Sequence, residues 1–225
     1  MGNMAQRTHI MILASGGLRS LVSIGLTLAN HDAVRLTLLH VGDGRDNAVM
    51  RRQYVTAQAD HFAITRVRQV ELGHIFGHGY GRGPSGEPVG TLAAPQMLCA
   101  ALAEARWQQA SRLIWPAAYN AETRAIAQAS EQLMLTQHLA EAEATAVPEL
   151  EAPLLEMSDQ QVIELGGQLG VPWHLAWSCL GQADRPCLSC PACRRRRAAF
   201  EAAGIVDTAI SIQPGQAQVQ AGPAR

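Results

Sequence analysis

The chain has 225 residues, 48% of them hydrophobic, and a formal net charge of -1 at pH 7. That is enough chain to bury a sizeable core and too little net charge for a general pull toward nucleic acid or anionic lipid. No apolar run reaches bilayer-spanning length, and the opening M-G-N-M-A-Q-R has no secretory pattern and puts Gln6 where a myristoylation signal wants Ser or Thr, so a cytoplasmic location without membrane attachment is expected.

Strand-like and helix-like segments alternate from the start. His9 to Ala14 is a short apolar run stopped by Ser15-Gly16-Gly17, which reads as a buried parallel strand. Leu18 to Asn30 has helical spacing, and Arg35 to Val41 is a second strand ending at Gly42-Asp43-Gly44. Asp46 is placed to cap a helix running to about Phe62. A third strand is expected over Arg66 to Glu71, then a long glycine-rich loop from Gly73 to Gly90. An alanine-rich helix over Thr91 to Ser111 leads to a fourth strand, Arg112 to Trp115, stopped by Pro116. Glu122 to Ala144 reads as helix and Glu149 to Ala152 as a last strand. Ser158 with Gln161 three residues on forms a capping box for a helix ending near Gly170. This alternation predicts a doubly wound α/β fold, a parallel sheet with helices on both faces. The expected division is a nucleotide-binding α/β domain over 1–150, a small C-terminal lobe over 151–212 and a disordered tail over 213–225, where Gly, Pro, Gln and Ala follow no period.

Two motifs carry chemistry. Cys179, Cys187, Cys190 and Cys193 have the spacing C-x7-C-x2-C-x2-C, and they are four of the chain's five cysteines. Three thiolates on one tight turn and a fourth from a short loop suit tetrahedral Zn2+, and four protein ligands leave no open position, so the metal would be structural. A pair of disulfides is the competing reading, disfavoured in a reducing compartment. The second motif is the turn Ser15-Gly16-Gly17-Leu18-Arg19-Ser20 between strand and helix. Glycines there let backbone N–H groups approach an anion, the helix start adds partial positive charge, and Ser15 and Ser20 add hydroxyl donors. A plain tight turn without a ligand is the alternative, although the first strand-helix turn is where doubly wound sheets place ligands.

Together these motifs resemble the PP-loop, or adenine nucleotide alpha hydrolase, superfamily and within it the 7-cyano-7-deazaguanine synthase family (QueC/ExsB). The turn resembles the S-G-G-x-D-S phosphate loop. The C-terminal match is closer: Pro153-Leu154, Leu169-Gly170-Val171-Pro172, Trp177-Ser178-Cys179, the other three cysteines, Arg194, Ala199-Phe200, Ala203-Gly204 and Asp207. The resemblance implies ATP-dependent adenylation of a deazapurine carboxylate with pyrophosphate release, then amide and nitrile formation from ammonia. ATP and Mg2+ would be used at Ser15, Gly16, Gly17, Arg19 and Ser20, and zinc would hold the lobe beside the pocket. Family members are often homodimeric, which makes a homodimer the expected assembly.

Departures from the pattern fall on charge. Arg19 stands where the family has the loop aspartate. Asp159 or Gln160 stands where it has a lysine, and all 18 basic residues of this chain are arginine. The middle helix opens V-G-T-L-A-A-P-Q-M-L in place of a segment with Arg-Asn, and Tyr119 to Ala125 replaces Y-P-D-C-R-P. Three readings follow: the first is a working ligase, of this type or forming an amide with another amine, in which Arg19 and Arg45 carry phosphate charge, and the second is an inactive paralogue binding a nucleotide, a deazapurine or a protein. A nucleic-acid module built on Arg194 to Arg197 is the third, against which the run reads as a solvated helix face balancing the thiolates. His74 and His78 lie in a glycine-rich segment without a partnered motif, Cys99 reads as core, and Trp173 and Trp177 read as packing. Glu122 and Arg124 follow strand four, within reach of a substrate or serving as helix caps.

Overall fold

A computed structural model describes residues 8–76, 81–82, 88–89, 92–181 and 183–211. The expected tail, 213–225, lies outside the described residues, as does His78. The elements run β1 (Thr8–Leu13), α1 (Leu18–Asn30), β2 (Val34–Gly42), α2 (Ala48–His61), β3 (Val67–Glu71), α3 (Gly73–Phe76), β4 (Gly81–Arg82), β5 (Pro88–Val89), α4 (Ala93–Trp107), β6 (Arg112–Ile114), α5 (Thr123–Glu143), β7 (Glu149–Glu151), α6 (Asp159–Gln168), a 3-10 turn (Trp173–Leu175), α7 (Pro191–Ala203) and α8 (Thr208–Ser211).

Five strands form one parallel sheet in the order β3-β2-β1-β6-β7. Side chains of a strand alternate between faces, and β1 sorts them accordingly. Ile10 and Ile12 pack with Ile24 of α1 and Val55 and Ala59 of α2. Met11 and Leu13 pack on the other face with Leu98 and Leu102 of α4 and Ala129 of α5. The doubly wound α/β fold is therefore as the alternation of the sequence implies. Strand order reverses between β1 and β6, and such sheets place ligands at that reversal, outside the carboxyl ends of the strands. The loop after Leu13 stands there.

The C-terminal segment does not stand apart from the sheet. Leu21 and Val22 of α1 share a core cluster with Val162 and Ile163 of α6, Trp173 and Phe200 of α7. Trp173 meets the Phe200 ring edge-on, with centroids 5.1 Å apart. Gly166 lets α6 lie against this indole, since a Cβ there would meet Trp173 Cη2 at 2.2 Å. The Ser158 capping box forms as expected: Ser158 Oγ accepts from Gln161 N–H at 3.1 Å and Gln161 Oε1 accepts from Ser158 N–H at 2.8 Å.

Two local expectations are corrected. The glycine-rich stretch contains a short helix, α3, and an antiparallel pair, β4 with β5. Two-residue strands have no period to read. The cap position of α2 is Asn47 in place of Asp46, and it makes no side-chain cap hydrogen bond; the Asn47 amide donates to Cys179 O of the C-terminal segment. Among the described residues no helix is long and apolar enough to cross a membrane.

Candidate anion loop and metal centre

Residues 14–20 form the strand-helix turn. Ala14 N–H donates to Leu39 O at 2.7 Å, which fixes the chain at the sheet edge of the turn. Gly16 then takes φ +72°, the left-handed region that favours glycine, and a Cβ on it would meet Arg51 O at 2.5 Å. Ser15 and Ser20 face each other across the turn: their hydroxyls are 2.9 Å apart, and Ser20 Oγ accepts from Ser15 N–H at 2.9 Å. Gly17 caps α1 without a side-chain hydrogen bond, and the first turn carries no acidic residue. The N–H groups that open a helix have no intrahelical acceptor, so this turn presents donors and partial positive charge to an anion.

Guanidinium groups surround the turn, each engaged by a carboxylate. Arg51, buried, donates to Ser15 O at 3.2 Å and to Asp43 Oδ1 at 3.1 Å. Arg45 binds Asp43 Oδ2 at 2.8 Å. Arg19 reaches Asp159 Oδ1 of α6 at 3.2 Å. The two charge departures that the sequence singled out, Arg19 in the loop and Asp159 in α6, are thus in contact with each other. Asp159 is also held by Arg195, through Nη2 to Oδ1 at 2.9 Å and through Nε to Oδ2. Beside the loop, His40 donates from Nδ1 to Ala14 O at 2.9 Å, and burial pulls its pKa below the usual imidazole value.

The four cysteines converge. Their Sγ atoms all lie within 4.8 Å of one another and none is in a disulfide, so the cluster can hold a metal ion and the disulfide alternative is set aside. Tetrahedral Zn–S bonds of about 2.3 Å place sulfurs roughly 3.8 Å apart, which this cluster accommodates. Backbone N–H groups aim at the sulfurs: Gly181 and Cys187 at Cys179 Sγ, both 3.3 Å, Cys190 at Cys187 Sγ, 3.3 Å, and Cys193 at Cys190 Sγ, 3.4 Å. Such donors favour thiolate, and N–H groups of Ser189 and Cys190 draw the Cys187 thiol down to about 6. Burial pushes the Cys193 thiol up in the metal-free protein, a penalty that ligation to a cation reverses.

Loop and metal centre are joined by backbone and side chain. Trp177 N–H donates to Gly16 O at 2.8 Å, and Asn47 Nδ2 donates to Cys179 O at 2.6 Å. Trp177 lies 5.4 Å from the Tyr54 ring, in one cluster with Cys179 and Cys193.

The arginine run does not form one solvated face. Arg196 is buried, with its Nε and Nη2 on both oxygens of Asp207 at 2.6 and 2.8 Å. It also donates to Trp173 O at 3.0 Å, to Ala176 O and to Ser178 Oγ at 3.4 Å. The helical repeat puts it on the stripe of Ala192, Cys193, Ala199 and Phe200 that faces the core. Arg195 is on Asp159, while Arg194, on Ser189 O, and Arg197, with Glu201 at 3.9 Å, are exposed as a solvated face would have them. Sequence reasoning did not single out Asn47, Arg51 or Tyr54; their signal, a polar side chain on the inner face of a weakly amphipathic helix, is visible only once α2 is seated.

Residues 122–204 match the family model described as queuosine biosynthesis protein QueC. The 7-cyano-7-deazaguanine synthase of Archaeoglobus fulgidus is 46% identical over 63 residues, 28% of this chain. That match spans about a quarter of the relative's length, 26%. The 7-cyano-7-deazaguanine synthase of Koribacter versatilis is 26% identical over 215 residues, covering 88% of this chain and 90% of the relative. The chain is thus similar to the 7-cyano-7-deazaguanine synthases, at modest identity over most of its length and at higher identity over a shorter stretch. Among solved structures, the U34-tRNA thiolase NcsA from Methanococcus maripaludis with its [4Fe-4S] cluster superposes with a TM-score of 0.52 at 13% identity, over 95% of this chain and 70% of that one. At that identity the likeness speaks for the fold alone. Identity with the synthases rises from 26% over most of the chain to 46% over the shorter stretch.

Proposed function

We propose that this chain is an ATP-dependent ligase of the 7-cyano-7-deazaguanine synthase type, which adenylates a deazapurine carboxylate for amide and nitrile formation. The observation that carries this reading is the hydrogen bond from Trp177 N–H to Gly16 O at 2.8 Å, which seats the segment most like the synthases directly on the strand-helix turn at the sheet reversal. Ser15, Gly16, Gly17, Arg19 and Ser20 would hold the pyrophosphate part of ATP, through backbone N–H groups and the two hydroxyls. Mg2+ bound with the nucleotide would neutralise phosphate charge. Cys179, Cys187, Cys190 and Cys193 would hold Zn2+, which supplies a fixed cross-link and no chemistry. The chain's own groups would orient the nucleotide and keep the loop in one shape, so that charge developing in the transition state meets donors already in place. A cytoplasmic homodimer with a nucleotide domain over 1–150 and a zinc lobe over 151–212 completes the proposal.

The test is pyrophosphate release from ATP and Mg2+ with a deazapurine carboxylate and ammonia. Release that requires all components, and is lost in Ser15→Ala and Ser20→Ala, is the expected result. No release above background would overturn the ligase reading. A second reading, an inactive paralogue that keeps the scaffold as a nucleotide- or deazapurine-binding module, is favoured by one observation: Arg19 of the loop is already engaged by Asp159. ATP binding without turnover is its signature.

A further inference from the structure

Asp159 is the first residue of α6, and its carboxylate is shared by guanidinium groups from the two ends of the chain. Arg19 approaches Oδ1 at 3.2 Å from the first turn of α1, and Arg195 approaches the same oxygen at 2.9 Å from α7. The arginine side chains remain 32% and 36% exposed, so solution anions can reach them. A carboxylate offers a guanidinium fork the same paired oxygens that phosphate does. Arg19 belongs to the loop assigned above to pyrophosphate, so its guanidinium has an anionic partner inside the protein, Asp159, and a rival anion available from solution. Charge decides between them. A singly charged ligand offers no more than Asp159 already gives, whereas a polyphosphate offers more.

We propose that Asp159 is an internal competitor for the anion of the 14–20 loop, a specificity-determining residue that admits polyphosphate and turns away singly charged ligands. Arg195 tunes the competition by sharing the carboxylate and so loosening its hold on Arg19. This rests on the reading of the loop as a phosphate site.

Calorimetric titration of the metal-loaded full chain with pyrophosphate, with acetate as the singly charged probe, tests it. Asp159→Asn removes the charge while keeping the shape, and is expected to tighten pyrophosphate binding by about tenfold. The gain disappears in the Arg19→Gln background, which separates competition for Arg19 from a general change in field. Arg195→Gln has the opposite sign and weakens pyrophosphate binding, because Asp159 then holds Arg19 alone. Wild type takes up no acetate at the loop and Asp159→Asn takes up some. If Asp159→Asn fails to fold, Asp159→Ser, which suits a first helical turn, carries the same prediction. Pyrophosphate binding by Asp159→Asn and not by wild type overturns the selectivity, because the wild-type loop would then admit neither kind of ligand. An Asp159→Asn protein that binds pyrophosphate no better than a wild type that does bind ATP overturns the competitor and leaves the phosphate loop standing. No binding of ATP or pyrophosphate by either protein overturns both.

Discussion

Arginine serves the α7 end of the molecule and the α1 end in different ways. Arg196 is buried with every N–H donor matched, to Asp207, Trp173 O, Ala176 O and Ser178 Oγ, and its guanidinium lies 5.5 Å from the Phe200 ring centre. Arg19 is a third exposed and shares its carboxylate with Arg195. The first kind of arginine is a fixed strut between segments; the second is exchangeable, because its partner can be replaced from solution at low cost. The same division separates the cysteine-rich segment, where spacing fixes geometry, from the 14–20 turn, where Arg19 is held by a carboxylate from α6.

The metal centre should break this comparison most severely. Cys193→Ser or exhaustive chelation is expected to remove metal-linked folding energy on the order of 10 kcal/mol and open residues 171–207 to protease, with the sheet retained. Elemental analysis should give one zinc per wild-type chain. Substoichiometric zinc in metal-replete protein would overturn the assignment.

Arg196→Met is next. It leaves Asp207 buried without its counter-charge, and a loss of about 3–5 kcal/mol in urea unfolding is expected. An equal loss from Arg19→Met would erase the distinction between strut and exchangeable partner; for Arg19 about 1 kcal/mol or less is expected.

Gly16→Ala sharpens the loop side. A Cβ at φ +72° meets Arg51 O at 2.5 Å, so a cost of roughly 2 kcal/mol and loss of ATP binding are expected, with zinc content unchanged.

The smallest effect is that of pH. Burial holds His40 neutral, with a folded pKa below the 6.5 of the free group, so below pH 6.5 the unfolded chain binds more protons than the folded one. Stability therefore falls as pH drops through 6.5 toward the folded value. His9, also lowered by burial, adds the same sign. Urea midpoints between pH 7.5 and 5 should show this decline, and His40→Gln should flatten part of it. An unchanged slope would place the titration elsewhere.

Much of the fold was legible because its signals are local. The apolar run ending at Ser15-Gly16-Gly17, the Ser158–Gln161 box and the cysteine spacing each specify geometry within a few residues. Asp159 was legible as a departure but not as a partner, because 140 residues separate it from Arg19 and only the packing of α6 on α1 joins them. Arg196 was misread for a related reason: in a run of four arginines nothing local says which one turns inward until α7 is seated. The β4–β5 pair has no hydrophobic alternation at all, so its signal was absent.

The bond from Trp177 N–H to Gly16 O has a consequence for synthesis on the ribosome. Every strand of the five-stranded sheet has been made once Glu151 is added, yet the carbonyl of Gly16 waits for a partner far downstream. A nascent chain released early would carry a finished sheet and an unfinished turn. The amino-terminal half is born first and is completed last, by the segment that carries the cysteines.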